Sequence, residues 1–192
     1  MHAALEPELH QTMPGLRSGN GIEESLERPA LLDAFCYWQS LRADRPAPAI
    51  HELDPLDIVP VLPFVNLVDV YRPTDGGYRF RHRLLGTALV GKFQAESTGQ
   101  WFDELYTPEH LARQLPAYIM AVEDVVPTVG DIGLDSEGRQ IMSYRRLILP
   151  LAGPSGSIDR LMAVFAFQTP DDRFVEGLPL HQVGRGSNFH KD

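Results

Sequence analysis

The sequence predicts an α+β fold: a five-stranded antiparallel sheet with helices on one face, preceded by a helical extension. Three observations carry this. Two strand-like runs come first, "FVNLVDVY" and "YRFRHRLL", joined by the hairpin signal "RPTDGG". Short helical pieces and one longer amphipathic run follow, from Thr87 onward. Three further strand-like runs then close the pattern after Val126. Strands, then helices, then strands make an antiparallel sheet with helices packed against it.

The length of 192 residues suits one domain with tails, and 43% hydrophobic residues suffice for a core. The formal net charge of -9 argues against nucleic acid as a partner, because phosphate binding needs a basic field. No apolar run reaches the roughly 20 residues of a membrane span, so no membrane partner is expected. The start, "MHAALEPELHQTMPG", lacks the basic and apolar parts of a signal peptide. A single cysteine, Cys36, excludes an internal disulfide framework and a cysteine-based zinc site. A cytoplasmic location is the simplest expectation.

Residues 1–28 read as a mobile arm, with scattered Pro, Gly, Ser and Asn and little periodicity. Residues 29–63 read as the helical extension. Pro29 suits a first helical position, and Leu31, Phe35, Trp38 and Leu41 form one apolar face. Cys36 on this helix is expected to be a small buried hydrophobe. Asp54 can cap a short helix that Pro60 and Pro63 then interrupt.

Residues 64–169 read as the folded domain. In its second strand Tyr78, Phe80, His82 and Leu84 alternate with Arg79, Arg81 and Arg83, giving an apolar face that includes His82 and a basic opposite face. Gly86 is expected to permit a tight exit from that strand, with Thr87 capping "ALVGKF". Thr98 and Gly99 allow a reversal before Trp101 and Phe102. In the longer helix Leu111, Leu115, Tyr118 and Val122 share a face, and Pro116 should kink or restart it. Later strands are expected over 127–134, 141–151 and 160–168, with "DSEGR" as a turn. Residues 170–192 read as a polar tail, with a frayed helix near 172–177.

This layout resembles PAS domains, in particular the bacterial PAS-like family PAS_5. The segments that carry the likeness are "YWQSLR" with "LDPLDIVPVLPFVNLVDV", "YRFRHRLLGTALVGKF", "STGQWFDEL" and "YRRLILPLAGPSGSIDRLMAVF", together covering about residues 30–168. The resemblance implies a sensory or regulatory role with no settled ligand and no catalytic residues. It implies signalling by contact with a protein partner and self-association as a homodimer through the flanking helix. The Trp38 helix would then cover the outer sheet face of its own chain or of a second copy.

The candidate ligand-binding residues are His82, Tyr78, Trp101, Tyr118, Tyr144 and Arg146, around an unknown small molecule. Tyr144, Arg146 and Ile148 share a strand face, and Arg146 could hold an anionic or carbonyl group. The plainer reading pairs Arg146 with Asp33 or Asp54, and packs Trp101, Tyr118 and Met120 in the core. His82 could bind a ligand, or be a histidine satisfied by backbone or carboxylate. Some PAS domains bind haem through a helical histidine, and His110 is the residue to consider. Haem is not expected from one histidine alone, nor flavin photochemistry, since "ALVGKFQAE" lacks the Asn-Cys motif of flavin-binding members. No catalytic motif and no metal-ligand cluster is present. The alternatives to a sensory module are a small isomerase- or hydratase-like cleft enzyme using His82 with Asp131, and a ligand-free interaction adaptor.

Overall fold

The computed structural model describes residues 9–12, 15–19, 21–136 and 139–167. Helix α1 (Pro29–Arg42) precedes three 3₁₀ turns, Ile50–Glu52, Pro55–Ile58 and Leu62–Phe64. Strands β3 (Val65–Tyr71) and β4 (Arg79–Leu85) form the first pair. Helices α2 (Thr87–Phe93), α3 (Phe102–Leu105) and α4 (Pro108–Glu123) follow. Strands β5 (Thr128–Ser136), β6 (Arg139–Ala152) and β7 (Ile158–Phe167) complete the layer. Two short strands, β1 (Leu9–Thr12) and β2 (Arg17–Ser18), both add to the edge at β5. The order is β1-β5-β6-β7-β3-β4, with every strand pair antiparallel.

The five predicted strands therefore form one sheet, and the described part of the N-terminal segment adds to it. The expected mobile arm is in part paired and packed, since Ile22 and Leu26 are buried and Arg145 donates to the Ser25 carbonyl at 2.8 Å. The polar tail from residue 170, its frayed helix near 172–177, and positions 137–138 of the "DSEGR" turn lie outside the described residues.

Both faces of β6 and β7 are covered. Alternation places Tyr144, Arg146 and Ile148 on one face, with Leu147, Leu149 and Leu151 on the other, and all six are buried. The first set faces α2–α4. Thr128, opposite Ile148, donates its hydroxyl to the Ala117 carbonyl of α4 at 3.2 Å. The second set faces α1, which buries Leu31, Ala34, Phe35 and Trp38, and the Trp38 indole N–H donates to the Pro150 carbonyl at 2.7 Å. The helix thus covers the outer face of its own chain's sheet, while α2–α4 roof the inner face. Cys36, expected to be buried, falls outside this stripe and is exposed.

Three local expectations change for identifiable reasons. A β-bulge at Leu67/Val68 pairs Val68 with His82 but Leu67 with Leu84. The extra residue turns Leu84 outward, 46% exposed, and gives the inward position to Leu85. Gly86 has an ordinary extended backbone, φ -65°, ψ 150°, so the strand exit does not call on glycine's conformational freedom. It is needed for space, because a Cβ there would overlap the carbonyl oxygens of Leu62 and Pro63. Gly86 is itself the cap position of α2, and Thr87 makes no side-chain cap. Finally, α4 runs unbroken through Pro116, started by Thr107, whose hydroxyl accepts from the His110 N–H at 3.3 Å.

Gly86→Ala should lower the unfolding free energy by about 1–3 kcal/mol, the usual cost of overpacking against atoms that cannot swing aside. Guanidinium denaturation reads this directly. An unchanged midpoint would mean that the 62–64 turn yields at no cost.

Candidate functional site

The sheet's inner face and the three roofing helices enclose a cavity of about 30 Å³. Strand alternation supplies Asn66 from β3, His82 from β4, Tyr144 and Arg146 from β6, and Phe165 from β7. Leu89 and Phe93 come from α2, and Phe102 from α3. Tyr106, His110, Gln114 and Tyr118 approach at steps of four along and just before α4, so one slowly winding stripe brings all four to the cavity.

Two polar groupings face each other there. In the first, His82 Nδ1 lies 3.2 Å from Asn66 Oδ1, and its Nε2 lies 3.0 Å from the Tyr106 hydroxyl. Burial pushes His82 down to about 3, against the opposing pull of the Glu96 carboxylate, so the ring is neutral near pH 7. A neutral ring donates from Nδ1 to the Asn66 oxygen, which only accepts, and receives the Tyr106 O–H at Nε2. Tyr106 is half-buried as a residue, but burial of its hydroxyl raises its pKa well above the ordinary tyrosine value. The Tyr106 ring stacks on His110 with centroids 4.6 Å apart. His110 is held down to about 4, by burial first and then by the Arg146 and Arg113 charges.

In the second grouping, Arg146 is 4% exposed and donates to the Gln114 side-chain oxygen. Its guanidinium lies over the Tyr118 ring, 4.7 Å from the centroid. Burial raises the Tyr118 pKa and pushes Tyr144 up to about 12, with the Arg146 charge opposing in both cases.

Of the candidates from sequence, His82, Tyr118, Tyr144 and Arg146 line the cavity, and Tyr78 and Trp101 do not. Tyr78 packs beside Phe80, with Arg72 over its ring. Trp101 pairs with Arg81 at the sheet edge and packs on Tyr71 at 4.7 Å, with Arg79 over its ring at 4.1 Å. Met120 is also absent from the lining. The suggested ion pair of Arg146 with Asp33 or Asp54 does not form, because those residues belong to the segments at the exposed surface while Arg146 points inward.

The suggested pair of His82 with Asp131 does not form either. Asp131 lies between Gly130 and Ile132, whose cross-strand partners Arg146 and Tyr144 face the cavity. It therefore points to the opposite face, where Arg145 grips it with two bonds of 2.8 and 2.7 Å. His82 is satisfied by neutral side chains, neither by backbone nor by carboxylate. Sequence reasoning missed Asn66, Tyr106 and Gln114, and considered His110 only for haem. The four-residue spacing from Tyr106 to Tyr118 was the available signal. Among the described residues no group of three or more His, Cys, Asp or Glu could hold a metal ion, and no helix is long and apolar enough to cross a membrane.

The family model PAS_5, described as a PAS domain, matches residues 26–166. No curated protein matches the chain.

His82 and His110 should make stability fall in acid. Both are neutral in the folded chain well below the ordinary histidine value of about 6.5, so the unfolded chain binds protons first as pH drops. Their contribution is complete above about pH 6.5 and is lost progressively toward their folded values, at up to about 1.4 kcal/mol per pH unit for each. Denaturation between pH 7 and 4.5 should give a shallower slope for His82→Leu than for the wild type. Equal slopes would show that His82 takes up its proton in the native state.

Proposed function

The chain belongs to the PAS_5 family of PAS domains, and on that premise we propose that it is a sensory or regulatory module holding a small molecule between its sheet and α2–α4. The module passes its state on by contact with a partner protein, through a shift of the short helices over the sheet. One observation supports this above the others. Asn66, His82, Gln114 and Arg146, four of the buried polar side chains, are directed at a single cavity. A core serving stability alone gains nothing from such groups, because desolvating them costs free energy that apolar side chains of similar size do not incur. The enzyme alternative has no comparable support, since His82 meets no carboxylate.

A second reading, the ligand-free interaction adaptor, is favoured by size. A cavity of about 30 Å³ has room for roughly two waters, far below the roughly 300–1,000 Å³ of typical ligand pockets. On that reading the polar groups only fix α4 on the sheet.

Native mass spectrometry of the full chain, with an absorbance spectrum of the same sample, separates the two. The sensory reading expects an added mass that is lost on denaturation, or one acquired from a small-molecule mixture. A chain of bare mass that no mixture stabilises or loads would defeat the ligand and leave the adaptor.

A further inference from the structure

We infer that the cavity is an anion site, in which Arg146 and the Gln114 amide hold the planar oxygen edge of a compact carboxylate or inorganic oxyanion. The inference rests on the sensory reading above and names the class of molecule sensed.

Arg146 is permanently cationic and is buried, at 4% exposure. Among the described residues its side-chain partners are neutral, the Gln114 oxygen and more weakly the Tyr118 hydroxyl, and no carboxylate pairs with it. The cavity lining contains no Asp or Glu at all. The titratable neighbours cannot supply the missing charge: burial keeps Tyr106, Tyr118 and Tyr144 protonated and His110 neutral at pH 7. The site therefore carries one net positive charge inside a chain whose overall charge is -9.

Three partly buried arginines of the sheet contrast with this. Arg145 is matched by Asp131, and Arg81 and Arg160 share the buried Asp69. All three lie on the outer face. On the outer face of the sheet these cations are matched with acids, and on the inner face Arg146 is not.

The hydrogen-bonding inventory points the same way. With its oxygen taken by Arg146, Gln114 presents its amide N–H₂, and this buried Nε2 makes no hydrogen bond of good geometry, the Tyr144 hydroxyl being only a weak partner. A buried unsatisfied donor costs free energy unless an acceptor meets it. The guanidinium has further N–H groups beyond the one given to Gln114. Donors from two elements, β6 and α4, thus line one small space. A carboxylate or planar oxyanion accepts from such a fork with two oxygens. Room for about two waters suits a head group of that size.

The test uses the full-length chain. Thermal unfolding is followed while sodium formate, acetate or nitrate is titrated against sodium chloride at constant ionic strength, with heats of binding measured in parallel. A saturable rise in Tm of several degrees is expected with at least one of the three, as ligation of the native state requires. Formate or acetate acting alone would identify a carboxylate, and nitrate acting alone an inorganic oxyanion. Arg146→Met should weaken the response at least about tenfold, and Gln114→Leu should weaken it less. If Arg146→Met fails to fold, Arg146→Lys and the wild-type titration still decide the matter. A flat titration in the wild type overturns the inference, as does a response that persists unchanged in Arg146→Met. A neutral molecule retained in native mass spectrometry, together with a flat titration, would overturn the anion assignment while leaving the sensory cavity standing. Bare mass with a flat titration would remove both.

Discussion

The pairing of β3 with β7 is the constraint on which the rest of the structure depends. It joins a hairpin from the first half of the chain to a meander from the second, in register from Val65↔Val164 to Asp69↔Arg160. Side-chain period along strands is two, so this register fixes which residues look inward. It places Asn66 and His82, which lie two and three strands from β6 respectively, on the same face as Tyr144 and Arg146 of β6. A slip by one residue would send Asn66 outward and turn its apolar neighbours Val65 and Leu67 toward the cavity instead. The polar wall facing Arg146 is thus a consequence of that register.

The two faces handle charge differently, and the difference follows from what covers them. On the outer side, Asp69 is buried yet lies 2.9 Å from Arg81, 3.2 Å from Arg160 and 3.9 Å from Arg83. Arg79 reaches Asp103 at 2.8 Å and also lies over Trp101. These arginines are partly solvated, so the pairs add modestly to stability while the aromatic rings shield their flat faces. The inner side has less access to water. There every ionisable group except Arg146 is kept neutral by burial, which is why histidine, tyrosine and amide chemistry dominates.

Much of the fold was legible in the sequence because it is written in periodicity. The stripe of Leu31, Phe35 and Trp38 gave α1 nearly to the residue, and the alternation around Phe80 and His82 gave an inward histidine. The hairpin and meander followed from turn residues. What remained hidden depends on atoms far apart in sequence. The bulge that exchanges Leu84 for Leu85 arises from pairing with Leu67 and Val68. The need for glycine at position 86 arises from the backbone of Leu62 and Pro63. The partner of Arg146 lies on α4, a separation no local pattern reveals, and Asp131 was misplaced because a strand's facing cannot be known before its neighbour's register is fixed. Gln114 was overlooked because the helical stripe was drawn through Leu111, Leu115, Tyr118 and Val122 alone.

The short helices acquire their meaning from the same geometry. Helix α2 has seven residues and α3 has four, below the roughly 12–15 at which an isolated helix holds in water. Each is kept in place by one aromatic anchor. Phe93 meets Tyr144 and Phe165 at 5.8 and 6.1 Å, and Phe102 meets His82 and Tyr118 at 4.5 and 5.3 Å. Both anchors touch cavity residues, so whatever fills the cavity bears first on the least self-sufficient elements. The chain before α3 also wraps the β4 edge: the Gly99 N–H donates to the His82 carbonyl at 2.6 Å, and the His82 N–H donates to the Gln100 carbonyl at 3.0 Å. Gly99 itself turns with φ +83°, a conformation glycine adopts without strain. Beyond it, Trp101 lies on the outer side among Tyr71, Arg79 and Arg81, while its neighbour Phe102 lies on the inner side against His82. Two consecutive residues thus span the sheet edge, one in the cavity wall and one at the surface. A displacement of the backbone at Phe102 would also move Trp101, because a peptide bond joins them.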